Sequence, residues 1–153
     1  MRVALGGDHA GLDLKELVAR ELGKAGHEVL DKGAYEYVAT DDYPDFALAV
    51  ARAVSEGAAD RGVIVCGSGI GASIAANKVP GVRAGLCTDS YSAHQGVEHD
   101  DMNVLVLAGR ITGVAIAEEI LSSFLRAKFS GEERHCRRLE KVLAAERQYC
   151  GGK

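Results

Sequence analysis

GVIVCGSGIGASIAANKVPG, residues 62–81, passes from an apolar run into a loop of small residues and then into a short helical segment. Val63–Val65 shows no polar alternation, the pattern of a strand covered on both faces. Cys66 stands where that strand should end. The glycines at 67, 69 and 71 let successive backbone N–H groups turn toward one point, and the helix that follows adds the positive end of its dipole. This spacing predicts an anion cradle with a thiol at its mouth.

Outward from this stretch the same alternation repeats. Apolar runs at Val3–Leu5, Val29–Leu30, Val82–Leu86 and Val104–Ala108 alternate with segments of helical periodicity, the order of βαβ units. Leu14, Leu17, Val18 and Leu22 fall at helical spacing, and GKAGHE supplies a stop. Pro44 is suited to open a second helix, with Phe46, Val50 and Val54 on one face and Gly57 at its end. Gly113–Lys128 repeats the pattern, and a charged helix is expected from about Glu132 to Gln148. The expected fold is a Rossmann-like, doubly wound α/β sheet of five parallel strands in a single domain, residues 1–153. Ligands of such sheets bind at the carboxyl ends of the strands. Asp8 and His9, Tyr43, Cys66 and Asp89 all fall just after such ends.

Length and charge narrow the classes. A chain of 153 residues, 47% hydrophobic, suits one core, and a net charge of -4 with scattered Lys and Arg argues against a nucleic-acid footprint. No apolar stretch near the start is long enough for a signal h-region or a membrane span, so a cytoplasmic protein is expected. Cys66, Cys87, Cys136 and Cys150 form no C-x-x-C pair, and no histidine array suggests a metal. Neither a metal nor a cofactor is expected.

Three readings of the loop stand side by side. Small residues can simply let a helix pack close to a sheet. Gly67, Gly69 and Ala72 also satisfy G-x-G-x-x-A, and with Asp89 after the next strand they allow a dinucleotide-binding redox or sensor module. The third reading is chemical: converging amides at a helix start would lower the Cys66 thiol toward neutrality and make it a usable base. Cys87, Cys136 and Cys150 lack such a loop and are expected to be structural.

Other polar residues carry paired readings. Asp8 and His9 suit a sugar hydroxyl and a phosphate, or a helix cap beside a satisfied histidine. The two glycines before them suggest close approach of another group. His99 lies in an acidic stretch, expected to be a loop, that suits it to carry a proton, or it is a solvated surface histidine. Arg134 and Arg138, at i and i+4, can clamp one phosphate with Arg110, or can be a solvated face paired with Glu132, Glu133 and Glu140.

Taken in order, GGDHAGLDLKE, DDYPDFA, CGSGIGASIAANKVPGVRA, EHDDMNVLVLAGR and RHCRRLE resemble the ribose-5-phosphate isomerase B family, which includes the galactose-6-phosphate isomerase subunits. The resemblance runs nearly the length of the chain. It implies interconversion of an aldose phosphate and its ketose, without metal. It also implies a homodimer with shared active sites, or a tetramer of two such dimers, the C-terminal helix reaching the partner. Cys66 is then the base that moves a proton between C1 and C2, and Gly67, Ser68, Gly69, Ile70 and Gly71 surround the enediolate, with Ser68 in a hydroxyl position. Asp8, His9 and Tyr43 contact the substrate, His99 opens the sugar ring from across the dimer, and Arg110, Arg134 and Arg138 hold phosphate. One departure stands out. The family commonly has His-Asn where this chain has His99-Asp100, trading a donor amide for an acceptor carboxylate. D-Erythrulose 4-phosphate and D-allose 6-phosphate therefore stand beside D-ribose 5-phosphate as candidate substrates. Lactose-operon relatives also work as mixed pairs, which leaves room for a non-catalytic subunit.

Overall fold

The structure is a computed structural model that describes residues 1–150; the side chain of Cys150 lies outside the described residues. Five strands form one all-parallel sheet: β1 (Arg2–Gly7), β2 (Glu28–Asp31), β3 (Arg61–Cys66), β4 (Ala84–Leu86) and β5 (Val104–Ala108), in the order β2-β1-β3-β5-β4. The helices are α1 (Leu12–Lys24), α2 (Tyr43–Ser55), α3 (Ile70–Ala76), α4 (Ser90–Asp100), α5 (Val114–Arg126) and α6 (Glu133–Cys150). The expected fold class holds. Strand β4 is shorter than its apolar run, because Val82 is used in a turn and pairing begins at Ala84.

Strand order fixes which helix covers which face. A parallel crossover is right-handed, so a step toward the β2 edge and a step toward the β4 edge put their helices on opposite faces. One core accordingly joins Leu14 and Val18 of α1, Val97 of α4 and Phe124 of α5 to Val3, Val63, Val65 and Leu105. The other joins Ala47, Val50 and Ala51 of α2 and Ala72 and Ala76 of α3 to Ala4, Ile64, Cys66 and Val106. Successive residues of β3 thus face opposite cores, as strand geometry requires. Alanines dominate the helix faces over Cys66 and bring that layer close.

These steps place the site. Strands β1 and β5 lead into α1 and α5 on one face, whereas β3, between them, leads into α3 on the other. The loop after β3 therefore turns to the opposite face from both neighbours, which makes this the switch point at which ligands of such sheets bind. Asp8 and His9 border it from β1, and Arg110 from β5.

Two expectations about elements change. His99 lies in the last turn of α4 and not in a loop. This helix buries only Ala93 and Val97, too thin a stripe to read as a period, and it is started by Asp89, whose carboxylate accepts from the Ser92 backbone N–H at 2.7 Å and its hydroxyl at 2.8 Å. Those hydrogen bonds hold the Asp89 carboxyl below its ordinary range. Cys136, expected to be structural, is exposed on α6, whereas Cys87 is buried as expected.

Candidate active site

Cys66 points from the end of β3 toward the α2–α3 face with 7% of its surface exposed. Its Sγ–H donates to Asp8 Oδ2 at 3.1 Å. Asp8 is itself buried, and its Oδ1 caps the 3₁₀ turn His9–Gly11 by accepting from the Gly11 N–H at 3.0 Å. The capping reading of Asp8 is realised on Oδ1, while Oδ2 faces the thiol. The close approach signalled by its glycines is also real, but its source is the protein: a Cβ on Gly7 would stand 2.6 Å from the Val65 carbonyl oxygen. This contact lets β1 lie near enough to β3 for a carboxylate and a thiol to meet.

The expected lowering of the thiol does not occur. Burial pushes the Cys66 thiol above its ordinary value, and the hydrogen bond and negative charge of Asp8 push the same way. Backbone N–H groups of Gly69 and Gly67 oppose them by pointing at the sulfur. The amide cradle is therefore present and aimed at Sγ, but at rest the thiol keeps its proton.

Each glycine of the loop has its own reason. Gly69 has φ +78°, and a Cβ there would also stand 2.6 Å from Leu86 Cδ1. At Gly71 a Cβ would stand 2.6 Å from Cζ of Tyr43, so Tyr43 lies against the start of α3. Ser68 and Ile70 are exposed at the rim, and Ser68 Oγ accepts from the Ile70 N–H at 3.4 Å. The backbone N–H of Arg110 donates to the Gly67 carbonyl at 3.1 Å, which sets the Arg110 side chain alongside Gly67. A single chain thus gathers Asp8, His9, Tyr43, Cys66, Gly67–Gly71 and Arg110. The dinucleotide alternative loses its support, since Asp89 is spent as a helix cap and Tyr43 occupies the space beside Gly71.

His99, Asp100, Arg134 and Arg138 are placed elsewhere. The His99 ring stacks on His135, centroids 4.1 Å apart and planes tilted by 30°. Gln95 Nε2 lies 3.0 Å from His99 Nδ1; an amide nitrogen only donates, so Nδ1 accepts and Nε2 carries the ring proton. Arg134 pairs with Glu132 at 2.8 Å, and Glu140 pairs with Arg147, so the solvated-face reading describes much of α6 in one chain. Asp100 and Arg138 line a cavity of about 680 Å³, an apolar groove between α6 and edge strand β4. That groove lies two strands away from Cys66, and no hydrogen bond or ion pair among the described residues joins these four residues to the loop.

Three participants were not singled out in the sequence. Asp41 accepts the His9 backbone N–H at 2.8 Å and meets His9 Nδ1 at 2.5 Å. Lys15, almost fully buried, holds Asp31 at 2.7 Å and the Ala34 carbonyl at 2.8 Å, anchoring the segment that leads to Asp41. His135 is 1% exposed, its Nδ1 lies 2.6 Å from Ser130 Oγ, and its Nε2 has no partner. Burial, then the charges of His99 and Arg134, push its imidazole below the ordinary range. Among the described residues no cluster of three His, Cys, Asp or Glu side chains is arranged to hold a metal, and no helix is long and apolar enough to cross a membrane.

A thiol and a carboxylate among converging amides, at the switch point of a parallel sheet, place the protein with those that handle small anions at strand ends. Within that class, the chain belongs to the ribose/galactose isomerase family, whose model matches residues 3–142. It is 42% identical over 147 residues to ribose-5-phosphate isomerase B of Escherichia coli (strain K12), covering 96% of this chain and 97% of that protein. The ribose-5-phosphate isomerase B structure from Clostridium thermocellum superposes with a TM-score of 0.94 at 46% identity, covering 97% of this chain and 99% of that one. That from Mycoplasma genitalium, with bound ribulose-5-phosphate, has a TM-score of 0.92 at 38% identity, covering 96% and 97%.

Proposed function

We propose that this chain is an aldose–ketose isomerase that interconverts D-ribose 5-phosphate and D-ribulose 5-phosphate, residues 1–153 acting as one cytoplasmic domain. The observation that carries the proposal is the Cys66–Asp8 pair set among the Gly67 and Gly69 amides. Relatives named ribose-5-phosphate isomerase B, and the ribulose-5-phosphate in the Mycoplasma genitalium structure, support the choice of sugar.

A C–H proton next to a carbonyl is weakly acidic until the oxyanion that forms is held by fixed donors. Asp8 Oδ2, already bonded to the thiol, is the acceptor through which the Sγ proton leaves when substrate arrives. The thiolate takes the C2 proton of the ring-opened aldose. The C2–H electron pair becomes the C1–C2 double bond, and the carbonyl pair moves onto O1. Backbone N–H groups of residues 67–71 hold the enediolate, with Ser68 at the rim. The proton returns to C1, the O2 hydroxyl proton passes to O1, and a ketone is left at C2.

Ring opening and phosphate binding need groups that one chain holds away from the loop. His99 acts as the ring-opening acid through Nε2–H, in a homodimer whose sites are shared. Arg110 and His9 bind phosphate from the Cys66 side, and Arg134 and Arg138 reach it from the partner. Tyr43 and Asp100 border the sugar. Exposed Val142 and Tyr149 on α6, beside the apolar groove at β4, support a helix that reaches a second chain.

Asp100 favours a second reading of the substrate, because a carboxylate selects hydroxyls differently from the amide the family commonly has. The test is relative kcat/KM of the purified chain on four-, five- and six-carbon sugar phosphates. A pentose preference supports the proposal. Preference for D-erythrulose 4-phosphate or D-allose 6-phosphate would transfer the same chemistry to another sugar. Turnover only after adding a second related chain would make this a subunit of a mixed pair.

A further inference from the structure

We propose that Asp41 is a positioning residue for His9, fixing its imidazole with Nδ1–H toward the Asp41 carboxylate so that Nε2–H meets the substrate phosphate. The proposal rests on the reading of His9 as a phosphate contact. Both Asp41 oxygens are committed to residue 9: Oδ2 accepts the backbone N–H at 2.8 Å, and Oδ1 lies 2.5 Å from Nδ1. An ionised carboxylate only accepts, so Nδ1 is the donor. The side chains of His9 and Asp41 are 20% and 10% exposed, and Tyr37 meets the His9 ring edge-on with centroids 5.6 Å apart. This geometry distinguishes the pair from an exposed ion pair free to swing.

The far ring nitrogen is open. Among the described residues no hydrogen bond engages His9 Nε2. Phosphate oxygens only accept, so a ring that donates to Asp41 on one side and to phosphate on the other carries both protons, and Asp41 supplies the balancing charge. Asp41 comes from the segment between β2 and α2, whose early part is tied down by buried Lys15 through Asp31 and the Ala34 carbonyl. Order in that segment thereby reaches the binding face.

An Asn in place of Asp41 tests this sharply. The His9 backbone N–H must be accepted by the single amide oxygen, so the Asn NH2 would face the ring and force Nδ1 to accept. Nitrogen-15 NMR of labelled histidine should show His9 protonated at Nδ1 in the wild type and at Nε2 alone in Asp41→Asn. KM for ribose 5-phosphate should rise about tenfold with kcat within about twofold, the pattern of lost uniform binding, and inhibition by inorganic phosphate should weaken equally. In a His9→Gln background the same change should have no further effect. A wild-type His9 protonated only at Nε2, or an equal rise in KM in both backgrounds, overturns the proposal. A wild-type chain without isomerase turnover would overturn the isomerase reading instead, and the NMR result would still judge Asp41.

Discussion

The surroundings of Cys66 and those of His99 are built in opposite ways. At Cys66 every neighbour is fixed by the chain itself: Asp8 by its cap, the amides by the left-handed turn at Gly69, and Tyr43 by its seat against Gly71. At His99 only the ring is seated, on His135, while Arg134 is exposed and paired with Glu132, and Arg138 lines a groove at the edge of the sheet. Proton transfer at carbon tolerates little misplacement, so its groups belong on one rigid strand end. Phosphate binding is remote from the reacting carbons and can be completed by long side chains across a subunit boundary.

The strongest way to break this comparison is to remove the sulfur. Cys66→Ala should reduce kcat about a thousandfold, within the range for loss of a positioned base, while competitive binding of inorganic phosphate stays within about twofold. Near-normal turnover would show that the proton-moving group lies elsewhere.

A second test compares two buried thiols. Burial, and then the charge of Asp89, push the Cys87 thiol from 9.0 up to about 11. At pH 8 its thiolate is about a hundredfold scarcer than that of a thiol at 9.0, and its sulfur is buried, so its alkylation should lag far behind that of exposed Cys136. Peptide mapping after timed alkylation measures it. Cys66, also raised but opposed by two amides, should fall between them. Linkage gives the matching sign: a folded value above the unfolded one favours the fold below pH 9, and that contribution is lost as pH rises toward about 11. Denaturant titrations at pH 8 and pH 11 should differ less for Cys87→Ala than for the wild type.

The same contrast explains what the sequence disclosed. Uninterrupted apolar runs, Pro44 at the start of α2 and the CGSGIG loop are local signals, and they located the strands and the Cys66 side of the site. Asp41 was missed because its partner His9 is 32 positions away and the stretch between β2 and α2 that carries Asp41 has no period. His135 was missed because its burial depends on α6 docking against α4, not on residues beside it. The direction of the Cys66 shift was misjudged for a related reason. Glycines beside the thiol are visible in one short stretch, whereas the opposing carboxylate comes from the neighbouring strand.

Gly69→Ala probes how rigid the Cys66 side is. The substitution meets both a left-handed backbone and the Leu86 methyl, which should cost about 1–3 kcal/mol of stability in denaturant titration. Displacing one amide of the cradle should also lower kcat about tenfold in the folded fraction. A variant with unchanged kcat would mean that the Gly69 N–H does not face the enediolate.

The mildest effect bears most directly on the division between the two regions. Chains carrying Cys66→Ala and chains carrying Arg138→Ala can be mixed, unfolded and refolded together. If Arg138 serves the partner's Cys66, each mixed dimer has one site with both groups intact and one with neither. Random pairing makes half the dimers mixed, so activity should recover to roughly a quarter of wild type. If both groups act within one chain, every site in the mixture lacks one of them, and the mixture stays as slow as its parents. Recovery would therefore establish that the arginine groove at β4 and the thiol at β3, two strands apart in one chain, meet only between two.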